Sequence, residues 1–560
     1  MNTARRARRT LAFAAVAAAL AACAPGSRYP ARPAPETLPQ GSPLASQTLG
    51  EGDAWLRHYV MSGAADSAVE MLHGRGAPRD PLVRHLQLAV ALHQAGKYEE
   101  SNQALAWADD EAERRYTQSL SQTAAALLVN DASIAYLPPT AERAMVPYYR
   151  MLNHLALGQA EGAAVEARRA GAFFARLRDA GAADPCAGEG LVQYVAGLSF
   201  GRAGAHNDAL VSFRQAERAF DECEGAAAPP DLGEWLYRSA VRTGVPQVAD
   251  SAAARYRLST AAADSAAGEL VVLVEHGWVA HRGHADIHVP IFAEEADSLA
   301  EGDPEALANV LIHTAVNLAD QAQWGEAWEE NALQQVADAL DGAYIMKLSW
   351  PVYRLESCSA PDVRLVVGGQ AVDAPVTGDL SAAMLTRWEQ ARRAALMRMV
   401  VRGAGKFMLT RAVEAKGEKQ GGEAVGWILG RLSNLASNQM ERADTRSWSL
   451  LPDRVSVARM TLAPGEHPVR IEVTRADGEP VWVDLGTVTV RAGETLVLNR
   501  RVWGSEMGDL AARSPEMRQH LAQRRAAPTD TASAARAPGA AAIQDAGAKS
   551  AAPVEVATQP

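Results

Sequence analysis

The residues best equipped for chemistry are four cysteines, Cys23, Cys186, Cys223 and Cys358, and a histidine-rich stretch, His276, His281, His284 and His288. A zinc site needs three or four ligands whose spacing follows a turn or a helix, as in H-E-x-x-H, and that spacing is missing. In an extended segment His284 and His288 share a face while His281 points away from both. The histidines therefore read as solvated strand or turn residues, and no metal is expected. No G-x-S-x-G elbow and no P-loop occur, and Gly368-Gly369 reads as a turn. The acidic pairs Glu294-Glu295 and Glu329-Glu330 read as helix-end or surface charge. No catalytic residue, cofactor or enzymatic activity is expected from this inventory.

Cys23 stands in a different context. Arg5, Arg6, Arg8 and Arg9 precede the apolar run Leu11 to Leu20, which ends in Leu20-Ala21-Ala22-Cys23. The run is short of the roughly 20 residues that span a bilayer, but it fits the apolar region of a signal peptide. The last four residues resemble a bacterial lipobox. The resemblance implies a diacylglycerol on the Cys23 thiol, cleavage before it and acylation of the new N-terminus. The alternative is an ordinary secretory signal cut after Ala22, with Cys23 a spectator. Ala24 is not the aspartate that marks retention at the inner membrane, so an outer-membrane anchor facing the periplasm is expected.

The elements that position the rest come in two textures between two tails. Residues 1–22 read as signal, and 23–50 as a Pro/Ser/Gly/Ala-rich tether. From 506 a short helix gives way to an Ala/Pro-rich tail to 560 without order of its own. The net charge of −11 and pI near 5.7 lack the basic footprint of a nucleic-acid binder. Cys186 precedes the helical stretch Glu189 to Ala203, and Cys223 follows Asn207 to Asp221. Antiparallel helices of about 15 residues run about 22 Å each, so the start of one meets the end of the other. A Cys186–Cys223 bridge is geometrically reasonable; two free thiols are the alternative. Cys358 is left over and reads as buried.

Residues 51–265 read as helical hairpins. Leu88 to Ser101 resembles a tetratricopeptide (TPR) hairpin: small residues where two helices meet, Gly96 at the turn, Tyr98 after it, and Leu105 and Ala108 on one face of the second helix. The layout recurs at Gly204, with Gly197 and Ala209 at close-packing positions and Phe213 and Ala216 beyond. It recurs more loosely at Gly63, Gly158 and Gly244. A glycine leaves the first helix in a left-handed conformation, small residues permit close approach, and large residues four apart pack on the next hairpin. Gly96, Tyr98, Gly204 and Phe213 are the expected packing and partner surface. Generic α-helical hairpins are the blander reading.

Residues 266–505 read as strands with helices between. Leu270 to Val274, Ile287 to Pro290, Gly342 to Leu355 and Val363 to Val367 look extended. After Pro452 alternation becomes clean, with turns at Ala463-Pro464-Gly465-Glu466, Asp477-Gly478 and Ala492-Gly493-Glu494. Helical insertions are expected at about 304–340 and 380–443, the second a long hairpin holding Gly426 and Gly430. The fold class expected is α+β and multidomain: an N-terminal α-helical TPR-like solenoid, then a C-terminal β-sandwich-like domain with an inserted helical hairpin.

Three stretches together resemble an uncharacterised family of bacterial TPR-bearing lipoproteins. They are Tyr148 to Gly158 continuing to Glu166-Ala167-Arg168-Arg169; the strand pair around Glu275-His276-Gly277 and Val289-Pro290; and Gly426 through Asn434, Thr445-Arg446-Ser447-Trp448 and Leu451-Pro452 to Pro464-Gly465. The resemblance spans about 55–503, and the chain departs from it in the insert Pro304 to Leu340. It implies an envelope protein and carries no catalytic residue; some members resemble activators of peptidoglycan synthases in genomic setting. The expectation is a membrane-anchored periplasmic adaptor that binds envelope proteins through its helical half and the membrane through the lipid on Cys23. The rivals are an envelope enzyme acting on glycan or peptide between the two halves, and a subunit of an export assembly.

Overall fold

The structure is a computed structural model. It describes residues 51–74, 77–119, 135–182, 184, 186–223, 227–258, 267–291, 344–354, 362–388, 443–474, 478 and 480–504, with a few single positions between 390 and 419. Cys23, Cys358, Glu294-Glu295, Glu329-Glu330, both tails, the 304–340 insertion and the Gly426–Gly430 arm lie outside the described residues.

Ten helices form five successive hairpins among the described residues. They are α1 (Glu51–Met61) with α2 (Ala65–His73), α3 (Pro81–Gln94) with α4 (Tyr98–Ser119), and α5 (Thr140–Ala156) with α6 (Ala160–Asp179). After them come α7 (Glu189–Arg202) with α8 (His206–Glu222), and α9 (Leu232–Thr243) with α10 (Pro246–Tyr256). Gly63, Gly96, Gly158, Gly204 and Gly244 lie at the five turns, each with φ between 69° and 74° or, for Gly96, 75°. At Gly96 the glycine N–H bonds to His93 O and the next N–H, from Lys97, reaches back to Leu92 O. This is the Schellman closure, which needs a left-handed residue and so favours glycine.

Ten strands follow among the described residues: β1 (Gly268–His276), β2 (His281–Ile291), β3 (Tyr344–Arg354), β4 (Val363–Val367), β5 (Gln370–Asp373), β6 (Val376–Asp379), β7 (Arg454–Leu462), β8 (Gly465–Thr474), β9 (Pro480–Val490) and β10 (Thr495–Val502). One four-stranded sheet has the order β10-β1-β7-β6, with β10 parallel to β1 and the other pairs antiparallel. A second, wholly antiparallel, has the order β5-β4-β8-β9. Strands β2 and β3 pair with each other as a separate ribbon.

β1 explains the layering. All nine of its residues are buried, and its pleat sends alternate side chains to opposite faces. Leu270, Val272 and Val274 join Leu365, Ile471 and Val473 in a core between the two four-stranded sheets. Val271 and Leu273 point the other way, into a core shared with the helices. A strand covered on both faces must be apolar throughout, and Leu270 to Val274 is. The helical core runs from Leu56 to Ala252 and continues without a break into Trp278, Leu450, Val457 and Val497. A single core therefore crosses the boundary expected near residue 266.

Two sequence expectations need adjusting. β2 begins at His281 rather than Ile287, because its whole length pairs with β3. It does not end at Pro290, which is paired with Ile345 inside the ribbon. In a two-stranded ribbon each strand keeps one open edge, so a proline there need not interrupt the ladder.

Candidate functional site: the junction of helices and sheet

The first helices of the hairpins face the chain's own C-terminal half. The connector 443–453, running into β7, lies against α1, α3 and α5, with Trp448, Leu450 and Leu451 fully buried. Its backbone is held by side chains from the helices. Arg57 of α1 donates from Nε and Nη2 to Ser449 O at 3.0 and 2.9 Å, and from Nη2 to Val279 O at 3.1 Å. Gln87 of α3 accepts the Leu450 N–H at 3.1 Å and donates to Ser449 Oγ at 2.8 Å. Glu142 of α5 accepts the Trp448 N–H at 3.2 Å and a short bond from the Tyr136 hydroxyl. Buried backbone groups away from a ladder must find such partners, so three helices act here as the connector's hydrogen-bonding strand.

A buried ion pair closes the other side. Arg501 of β10 donates from Nη1 to Glu275 Oε2 at 3.1 Å, and from Nη2 to the carbonyls of Gly277, Leu450 and Leu451 at 2.7, 3.2 and 2.9 Å. Tyr149 of α5 also donates to Glu275 Oε2, at 3.1 Å. His93 of α3 bridges Asn153 Oδ1 at 2.6 Å and Asn499 Oδ1 at 3.0 Å, joining two helices to β10.

Burial governs the ionisation of these groups. The Glu142 carboxyl is raised above the usual range by burial, with Arg282 and the Tyr136 and Trp448 donors pulling the other way. Burial, with the Glu142 charge, pushes the Tyr136 hydroxyl well up. Asp231, which accepts from Tyr194 OH at 2.9 Å and Trp235 Nε1 at 2.6 Å, is raised by burial against the pull of Arg459. Asp80 goes down: burial opposes its charge, but Arg115, the Leu82 N–H and Arg446 outweigh it. Arg446 reaches Asp80 Oδ2 at 3.0 Å and thereby ties the connector to the cap of α3. The bonds of Glu142 and Asp80 fasten the connector, and those of Asp231 join α7 to α9.

The residues singled out from sequence are distributed as follows. Gly96 and Gly204 make the turns already described. Tyr98 opens α4, half-buried, with its ring edge-on to His93 at 5.4 Å. Phe213 is buried, stacked on Trp235 at 5.9 Å, and it lies so close over Gly197 that a methyl there would overlap its ring. Phe213 is thus a packing residue and not part of a partner surface. Cys186, in the loop before α7, is bonded to Cys223 at the end of α8, with Cα atoms 5.0 Å apart. His276 is buried in β1 with Nε2 2.9 Å from Ser456 Oγ, and His281 is buried at the start of β2. Among the described residues no three His, Cys, Asp or Glu side chains gather as metal ligands. Nor, among them, is any helix long and apolar enough to cross a membrane.

Reading by residue type missed Arg57, Gln87, Glu142, Glu275 and Arg501. A faint signal existed in β10: Val497, Asn499 and Arg501 share a face by alternation, so an amide and a guanidinium stand where an apolar residue belongs.

At one end of the junction, between the start of α5, the Cys186 loop, the β2–β3 ribbon and the helical residues 380–388, is a cavity of about 380 Å³. Arg282 lies in its wall, with Nε bonded to Tyr353 OH at 3.1 Å and Nη1 3.6 Å from Asp444 Oδ2.

No family model matches the chain, and no curated protein matches it. Solved structures similar to part of it include MamA from residue 41 to its end, from Desulfovibrio magneticus RS-1, at 13% identity over 38% of this chain and 96% of that one, with a TM-score of 0.23. Another is a Podosopora anserina protein named for kinesin light chain, with nearly identical TPR-like repeats: 15% identity, 39% and 96% coverage, TM-score 0.25. A third is BtubC (BKLC) from P. vanneervenii, at 16% identity, 36% and 72% coverage and a TM-score of 0.23. At such scores the reading of the helical half rests on its own five hairpins.

Proposed function

We propose that the protein is an adaptor of the bacterial cell envelope. In this reading it is lipid-anchored through Cys23 in the outer membrane, faces the periplasm, and serves as a protein–protein interaction scaffold in peptidoglycan or outer-membrane biogenesis. The observation that carries it is the hairpin array, whose second helices turn outward with large apolar side chains in solvent: Trp107 on α4, Val165 on α6 and Val211 on α8 are 40%, 44% and 53% exposed. Exposed aromatic and aliphatic residues on a repeat array are what a protein partner would bury. The first helices carry the chain's own connector and sheet on one face, although Val241 of α9 is also 56% exposed, and the partner is assigned to the outward helices. The sandwich-like sheets act as the brace that keeps the array rigid, and the disulfide suits an oxidising compartment.

The test is in-cell crosslinking of the lipidated protein followed by affinity capture, run beside a Trp107→Ala, Val165→Asp, Val211→Asp variant with an unchanged melting temperature. Reproducible capture of one or two envelope proteins, lost in the variant, supports the adaptor. Capture of nothing but the protein itself would sink it. Mass spectrometry of membrane-extracted protein tests the anchor, and an unmodified Cys23 would remove it.

A further inference from the structure

The half-open cavity beside Arg282 is lined mainly by apolar groups, among them Leu137, Ala141, Ala187 and Met384, with the Tyr353 and Trp388 rings edge-to-face at 5.9 Å on one side. Among the described residues four charged side chains line it: Arg282, Arg387, Asp184 and Asp444. Two of them are already matched, since Arg282 pairs with Asp444, which also accepts from Arg446 at 2.7 Å. The other two are not. Arg387, exposed, donates to Gln390 Oε1 at 3.3 Å, and Asp184 accepts the Cys186 N–H at 3.2 Å; neither meets an opposite charge among the described residues. They stand on different walls, Arg387 on the helical residues 380–388 and Asp184 on the loop that the Cys186–Cys223 bond ties to α8.

An apolar enclosure with a few polar groups at fixed places is the usual form of a small-molecule site. One unmatched cation and one unmatched anion on separate walls complement a ligand that carries both charges itself. We propose that this cavity binds a short peptide with free termini. The terminal carboxylate meets the Arg387 guanidinium, whose planar fork suits it. The terminal ammonium meets the Asp184 carboxylate, and an apolar side chain fills the space against Met384 and Leu137. This site is separate from the outward helices and does not rest on the adaptor reading.

The experiment is calorimetric titration of the full mature protein with the dipeptide leucylalanine, its N-acetylated form and its C-terminal amide. Saturable binding is expected for the free dipeptide. Blocking either end should weaken it by about tenfold or more, the scale of a lost charge-assisted hydrogen bond. Asp184→Asn should weaken the free dipeptide and erase its advantage over the acetylated form. Arg387→Gln should do the same with respect to the amide. Leu137→Trp, which adds bulk from a partly buried position of the wall, should abolish binding in protein that keeps its melting temperature. No saturable heat at millimolar dipeptide, equal affinity for free and blocked forms, or undiminished binding by the filled variant would each overturn the proposal.

Discussion

At Gly197 a methyl group would overlap the Phe213 ring, so Gly197→Ala is an overpacking substitution. It should cost about 1–3 kcal/mol, seen as a lower urea midpoint at unchanged slope, and Phe213→Leu beside it should recover much of the loss. Asp80 gives a pH dependence of known sign. Its folded pKa lies below the ordinary aspartate value of 3.8, so the folded state binds fewer protons and stability rises with pH. The advantage of the native protein over Asp80→Asn should be constant from neutral pH to about 5. It should shrink as the pH falls through and below the ordinary value, as followed by thermal melts across that range. The close packing at Gly197 was legible in the sequence as a small residue before a turn glycine, but its expected neighbour was Ala209, whereas the ring that covers it belongs to Phe213. Arg57, Gln87 and Arg501 were not, because each spends its polar group on a backbone far along the chain: Arg57 and Ser449 are 392 residues apart. Nothing near a residue in sequence announces such a partner.

The connector 443–453 is the element on which the junction turns. Trp448 is fully buried, and Trp448→Ala should cost about 3–5 kcal/mol. Gln87→Leu should cost about 1–3 kcal/mol by leaving the Leu450 N–H without its acceptor. Both can be read by chemical denaturation, and a cost of a few tenths of a kcal/mol in either would mean that the connector is not part of the fold's core. The Cys186–Cys223 bond closes 37 residues, and replacing both cysteines by serine should lower stability by about 2–4 kcal/mol. Strand alternation after Pro452 was readable because the antiparallel strands β7 and β8 bury one face more than the other or mark it with charge. β5 and β6, of four residues each, are too short to show a period, and they owe their extended form to the neighbours they pair with. The connector itself has no period at all. Trp448, Leu450 and Leu451 are buried together with Ser447 and Ser449, because the helices envelop it.

For the whole molecule, the shared core predicts a single unfolding event. Far-ultraviolet and near-ultraviolet signals should lose their native values over one coincident transition; two separated transitions would contradict a core that passes from Leu56 to Val497. Residues 51–265 produced alone should expose the apolar face that Leu273 and Trp448 now cover, and should aggregate instead of remaining monomeric. The pairing of β1 with β10 has a consequence in time. Leu273 and Asn499 are register partners 226 residues apart. A chain emerging at about 5–20 residues per second must wait roughly 11 to 45 seconds after its first strand is made before that strand's parallel neighbour exists. During that interval β1 lacks the parallel neighbour that flanks it in the sheet. The pairing that completes this sheet is therefore among the last that the order of the chain permits.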